Sequence, residues 1–162
     1  MPFTDVLSAN EAYAAEFSGG DLTGQAARGL AVLTCIDTRI DPLGMLGLRP
    51  GDAKILRNAG ARVTDDVLRT LVLATYLLNV SRVMVIAHTD CRMVGGTEED
   101  VHEAIAGRGG PDTRSLVFQV TTDVEATLRH DVLRIRASPY LADLESAGFV
   151  YDVRTGRVTQ VC

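Results

Sequence analysis

A chain of 162 residues, 46% hydrophobic and 23% charged, has the make-up of one globular domain spanning 1–162, with enough length to bury most of its apolar surface. A formal net charge of −5, with the basic residues scattered, argues against nucleic acid or an anionic membrane as a partner. The opening PFTDVLSANEAYAAEF carries acids where a secretion signal needs a basic start, and the longest apolar stretch, Leu71–Leu78, is too short to span a bilayer, so a cytoplasmic protein is expected.

In chain order, Thr4–Phe17 reads as a separate amphipathic helix, and GLAVLTC at Gly29–Cys35 as a buried strand. A short helix is expected near Pro42–Leu48, then a second strand at Ala53–Leu56. Thr64 is a good N-cap for DDVLRTLVLATYLLN: Asp65 and Asp66 suit the first turn, and Val67, Leu68, Leu71, Val72, Thr75 and Leu78 recur at helical spacing until Asn79 stops the run. A third strand covers Arg82–Ala87. Beyond it a helical region follows, within which Asp112–Arg136 is expected to be mostly helical, broken before Pro139. The last segment, GFVYDVRTGRVTQV at Gly148–Val161, alternates around a Thr-Gly turn and reads as a hairpin. Continuous apolar strands separated by helices point to an α/β fold: a mostly parallel central sheet flanked by helices, with a C-terminal hairpin.

In such a sheet, ligands bind beyond the carboxyl ends of the strands. That rim collects Cys35, Asp37 and Arg39 after the first strand, RNAG (Arg57–Gly60) after the second, and HTDC (His88–Cys91) after the third. Two cysteines and a histidine are ligands zinc prefers, and three protein ligands leave a fourth position open, as in catalytic rather than structural zinc sites. Asp37, sharing a face with Cys35 and Arg39, is placed to accept a hydrogen bond from water at the metal, with Arg39 gripping it in a bidentate pair. The rival is a nucleophilic Cys91 in a sulfur- or phosphate-transfer loop. However, Cys91 is followed by RMVGGTEED, which brings acids where an anion needs positive charge. No Walker or GxGxxG loop is present. Three cysteines, an odd number, make a poor disulfide framework; Cys162 is expected to be a terminal thiol without a partner, and His102 and His130 to be solvated.

The combination C-x-D-x-R, RNAG and H-x-x-C resembles the β-class carbonic anhydrases, most closely their short bacterial and archaeal members. TDDVLR at Thr64–Arg69, RIRASPY at Arg134–Tyr140 and GFVYDVRTGRV at Gly148–Val158 extend the likeness over nearly the whole chain. The resemblance implies one Zn2+ per chain on Cys35, His88 and Cys91, and reversible hydration of carbon dioxide to bicarbonate and a proton by zinc-bound hydroxide, oriented by Asp37 and Arg39. It also implies a small substrate pocket shaped by Ala59 and Gly60, and a homodimer or higher homo-oligomer whose N-terminal helix packs on a partner subunit. In a closed state Asp37 would leave Arg39 and become the fourth zinc ligand. One departure stands out: Arg92 occupies the position after the second cysteine where the family commonly has glycine, so it is a candidate modulator that points to solvent, competes with Arg39 for Asp37, or narrows the way in. The alternatives on the same scaffold are a hydrolase of carbonyl sulfide or carbon disulfide, and a non-catalytic zinc-binding homologue.

Overall fold

The computed structural model describes residues 2–162. Five strands form one sheet in the order β2-β1-β3-β4-β5: β1 is Leu30–Cys35, β2 Ala53–Asn58, β3 Arg82–His88, β4 Glu145–Tyr151 and β5 Val158–Gln160. The first four run parallel; β5 turns back on β4 as an antiparallel hairpin. Every residue of β1 is buried, as its unbroken apolar run requires of a strand covered on both faces. Its single polar side chain before the end, Thr34, donates its hydroxyl to the Ile86 carbonyl at 3.2 Å.

The helices are α1 (Thr4–Ala15), α2 (Asp65–Leu77), α3 (Glu98–Ala106) and α4 (Val124–Arg136), with short 3-10 segments at Gly44–Leu46, where a short helix was expected, and at Ala59–Ala61. On one face of the sheet, Val67, Leu71 and Ala74 of α2 and Leu128, Val132 and Ile135 of α4 pack with Ala31, Leu33, Val83 and Val85. The alternate side chains Leu30, Val32 and Ile86 point the other way, where Leu48 and residues of the Gly44–Leu46 segment cover them. Thr64 caps α2 by accepting from the Val67 N–H, and Asn79, at φ +61°, ends it in the left-handed conformation common just past a helix C-terminus. Helix α1 buries none of its residues against its own chain; Phe3, Val6, Leu7 and Tyr13 lie exposed. No helix among the described residues is long and apolar enough to cross a membrane.

Two expectations need correcting. Helix over Asp112–Arg136 holds only from Val124; residues 107–123 are irregular. Asp123 caps α4 by accepting from the Ala126 N–H at 2.9 Å, and the stretch before it is held by a different partner. The Glu98 carboxylate accepts the Phe118 and Val120 N–H groups at 2.7 and 3.0 Å, satisfying donors that a helix would have paired internally. His102 is not solvated: it is 8% exposed, bonds Thr113 Oγ1 through Nδ1 at 2.9 Å, and its ring centre lies 5.3 Å from that of Phe118. The Cys162 thiol is free, as expected, while its backbone anchors the end of the chain. Its carbonyl accepts the Gly148 N–H at 2.8 Å, and its Sγ would lie 2.7 Å from a Cβ at position 148, so only glycine fits there.

Candidate metal centre

Parallel pairing delivers the ends of β1, β2 and β3 to one rim, with Cys35 in register with Asn58 on β2 and His88 closing β3. Cys35 and His88 are only 4% and 2% exposed, and Cys91 is half-buried in the turn that follows. The two sulfurs and a histidine nitrogen lie within 4.8 Å of one another. Zinc bond lengths of about 2.3 Å to sulfur and 2.0 Å to nitrogen put tetrahedral donors about 3.5–3.8 Å apart, so a small contraction closes the cluster on an ion.

The histidine settles its own tautomer. Its Nδ1 stands 2.8 Å from the Thr89 carbonyl, which can only accept, so the proton sits there and Nε2 carries a lone pair. That Nε2 is buried and has no hydrogen-bond partner among the described residues. A buried acceptor left open costs stability unless something fills it; a soft or borderline cation between the two sulfurs does so. The donor set therefore fits zinc. Burial pushes the Cys91 thiol up to about 11, with the neighbouring Cys35 adding to the rise and a Met93 backbone N–H opposing it. A raised thiol is the reverse of an activated nucleophile, which disfavours the transfer-enzyme reading.

Asp37 and Arg39 stand beside this cluster. Arg39 Nε donates to Asp37 Oδ1 at 2.9 Å and Nη2 to Oδ2 at 2.8 Å, while the Arg39 backbone N–H also reaches Oδ1 at 2.9 Å. These bonds hold the Asp37 carboxyl far below the usual carboxylate range, against the opposing effect of burial, and raise the Arg39 guanidinium. Asp37 is thus an acceptor-only carboxylate. Oδ1 takes two of its three hydrogen bonds, and Oδ2 keeps an acceptor direction free at 4.0 Å from His88 Nε2. The arrangement is the Arg39-paired one, not the one with Asp37 in the ligand cluster.

Two residues reinforce it that motif reading left without a role. Asp90, in the left-handed conformation at φ +56°, accepts from Arg39 Nη1 at 2.7 Å through its side chain and from Nη2 at 3.0 Å through its carbonyl. Arg57 of the RNAG stretch donates to the carbonyls of Cys35 (2.9 Å) and Asp37 (2.7 Å), pinning the chain between them. Asp90 sits inside HTDC, but only the folded turn shows which arginine it meets.

Gly60, at φ +78°, places its N–H 3.4 Å from Cys35 Sγ and lines a small cavity, with about 20 Å³ open to water-sized molecules, that reaches His88 and Cys91. Met93, Val94, Val124 and Leu128 give this cavity apolar walls. Ala59 faces elsewhere, into a neighbouring groove with Val117 and Phe118. Arg92 is exposed and makes no ion pair among the described residues, and the side-chain bonds to Asp37 come from Arg39.

Comparison with known proteins agrees with this geometry. The carbonic anhydrase family model matches residues 30–158. β-Carbonic anhydrase 1 of Mycobacterium tuberculosis is 35% identical over 97% of this chain and 96% of its own. A carbon disulfide hydrolase of an Acidianus species is 43% identical over 81% of this chain and 76% of its own. The crystal structure of a carbonic anhydrase from Streptococcus mutans superposes with a TM-score of 0.93 at 37% identity, covering all of this chain and 98% of that one. With its motifs, sheet order and whole-length likeness in agreement, the chain belongs to the β-class carbonic anhydrases.

Proposed function

We propose that this protein hydrates carbon dioxide reversibly to bicarbonate and a proton, with one zinc ion held by Cys35, His88 and Cys91. The observation that carries the reading is the open, buried Nε2 of His88 beside two sulfurs, with a fixed carboxylate 4.0 Å away. When bound, zinc supplies a hydroxide nucleophile at neutral pH by acidifying water. Asp37, able only to accept, would hold the proton of the nucleophile on its free Oδ2 direction and so keep it oriented toward the substrate carbon. Arg39 fixes that carboxylate through two parallel bonds, and Asp90 fixes Arg39. The apolar cavity beside His88 and Cys91 receives an uncharged substrate at low desolvation cost. A purely structural zinc has no use for an Asp37–Arg39 pair, which disfavours a non-catalytic homologue.

The 43% identity to a carbon disulfide hydrolase gives one second reading weight, hydrolysis of a sulfur analogue by the same residues. Supplying the zinc-loaded protein with carbon dioxide and, separately, with carbon disulfide separates the two. Fast acidification of an indicator with carbon dioxide and little sulfide release is expected; sulfide release without carbon dioxide hydration favours the second reading. The wholly exposed α1, with its apolar Val6, Leu7 and Tyr13 and Phe3 just before it, supports a homodimer at least, which light scattering would register as twice the chain mass.

A further inference from the structure

We infer that Arg62 and Asp131 are positioning residues for the metal centre, acting through the Gly60 N–H on Cys35. The inference rests on the proposed metal reading and concerns how this chain holds one ligand.

The loop between β2 and α2 is strained. Gly60 at φ +78° is followed by Ala61 at φ +57°, and Ala61 is buried. A residue with a Cβ adopts the left-handed region in a buried turn only where its surroundings impose it. Two devices do so here. Asn58 spans the turn from inside, its Nδ2 donating to the Arg62 carbonyl at 2.7 Å and its Oδ1 accepting the Arg62 N–H at 2.8 Å. Arg62 then anchors the far end to α4: Nε donates to Asp131 Oδ2 at 2.7 Å, Nη2 to Oδ1 at 3.3 Å, and Nη1 to the Gln119 carbonyl at 2.7 Å. The same Asp131 Oδ2 accepts the Val63 N–H at 3.2 Å.

Asp131 is 1% exposed, so its charge is buried and Arg62 is its compensating partner. A buried ion pair is a poor device for stability alone, because apolar residues of the same shape do as well. It is a good device for direction, since a planar guanidinium gripping two oxygens and a carbonyl allows one placement. What that placement delivers is the Gly60 N–H at 3.4 Å from Cys35 Sγ. Donation to a metal-bound thiolate withdraws charge from sulfur and fixes its orientation, and such outer partners tune both the affinity and the electronic character of a metal site.

The test uses the full chain loaded with cobalt(II) in place of zinc, which reports thiolate ligation as a charge-transfer band. The double substitution Arg62→Met with Asp131→Leu removes the pair without leaving an orphaned charge. Without the staple, the Gly60 N–H drifts from Cys35, the sulfur becomes more electron-rich, and the band is expected to move to longer wavelength. Metal loss to a chelator should quicken about tenfold. Val132→Ala, a buried core position on the same helix, is the control for general loosening and should lower the melting temperature while leaving band and loss rate unchanged. Arg62→Lys keeps the charge pair but not the fork; it should show a smaller shift in the same direction, and it decides the matter if the double variant fails to fold. An unchanged band with metal loss within twofold of the unaltered protein in a folded variant overturns this inference alone. If the unaltered protein binds no cobalt, the metal reading falls and this inference with it.

Discussion

Replacing Arg39 by lysine isolates what orientation contributes to the proposed reaction. Arg39 gives Asp37 two side-chain bonds and one backbone bond, and gives Asp90 two more. Lysine retains the positive charge and the backbone N–H, but its ammonium cannot bridge both Asp37 oxygens and Asp90 together. A charge-assisted hydrogen bond shielded from water holds a side chain in place by a factor of about ten or more. The Arg39 side chain is 43% exposed, so screening reduces the two lost bonds together to about that single factor. Misplacing the carboxylate by a fraction of an ångström costs roughly another tenfold, giving a fall of about 10²-fold in kcat. KM should change little, because carbon dioxide is held by the apolar cavity and not by Arg39. Zinc content should stay at one per chain, since Arg39 bonds to none of the three candidate ligands. Stopped-flow hydration with metal analysis measures all three. A kcat within threefold of the unaltered enzyme, or a matching loss of zinc, would refute the reasoning.

Other outcomes follow from features away from the carboxylate. Gly148→Ala drives a Cβ to within 2.8 Å of Leu128 as well as onto Cys162, and should destabilise the fold by about 1–3 kcal/mol in urea titration; an unchanged midpoint would contradict the close approach. Glu98 is held below its ordinary value of 4.5, chiefly by the Phe118 N–H and then by that of Val120, with burial opposing. Its contribution is therefore present above pH 4.5 and lost as the pH falls through its folded value, so Glu98→Gln should flatten the pH dependence of the urea midpoint below pH 4.5. An unaltered acid limb would contradict that assignment. Because the Cys91 thiol sits near 11 in the metal-free chain, zinc uptake at pH 7 must expel its proton; an indicator in weakly buffered solution should record at least one proton per zinc.

The sheet and the metal cluster could be read from the chain because both rest on local patterns. An apolar strand that ends in Cys35, and another that ends in His88, have only to lie parallel for their ends to meet. Helix α2 declared itself through its cap at Thr64 and its stop at Asn79. Residues 107–123 did not, because their shape depends on a carboxylate twenty positions earlier that takes up two backbone donors, a bond no window of sequence contains. Leu116 and Val117 in this stretch stay exposed, while Phe118 packs on the ring of His102. The Arg62–Asp131 pair joins residues 69 positions apart, and neither belongs to the motifs at the rim. Arg92 drew attention by its type and position, and it is exposed, while the bonds that hold Asp37 come from Arg39.

Zinc on Cys35, His88 and Cys91 is proposed to hydrate carbon dioxide, with Asp37 directing the attack. Stopped-flow hydration at mildly alkaline pH, on protein whose zinc content has been measured, tests it most directly when run beside Asp37→Ala. Rapid hydration by the unaltered protein, largely lost in the variant while zinc stays bound, is the predicted result. One zinc per chain without hydration, or hydration that survives Asp37→Ala undiminished, would contradict it.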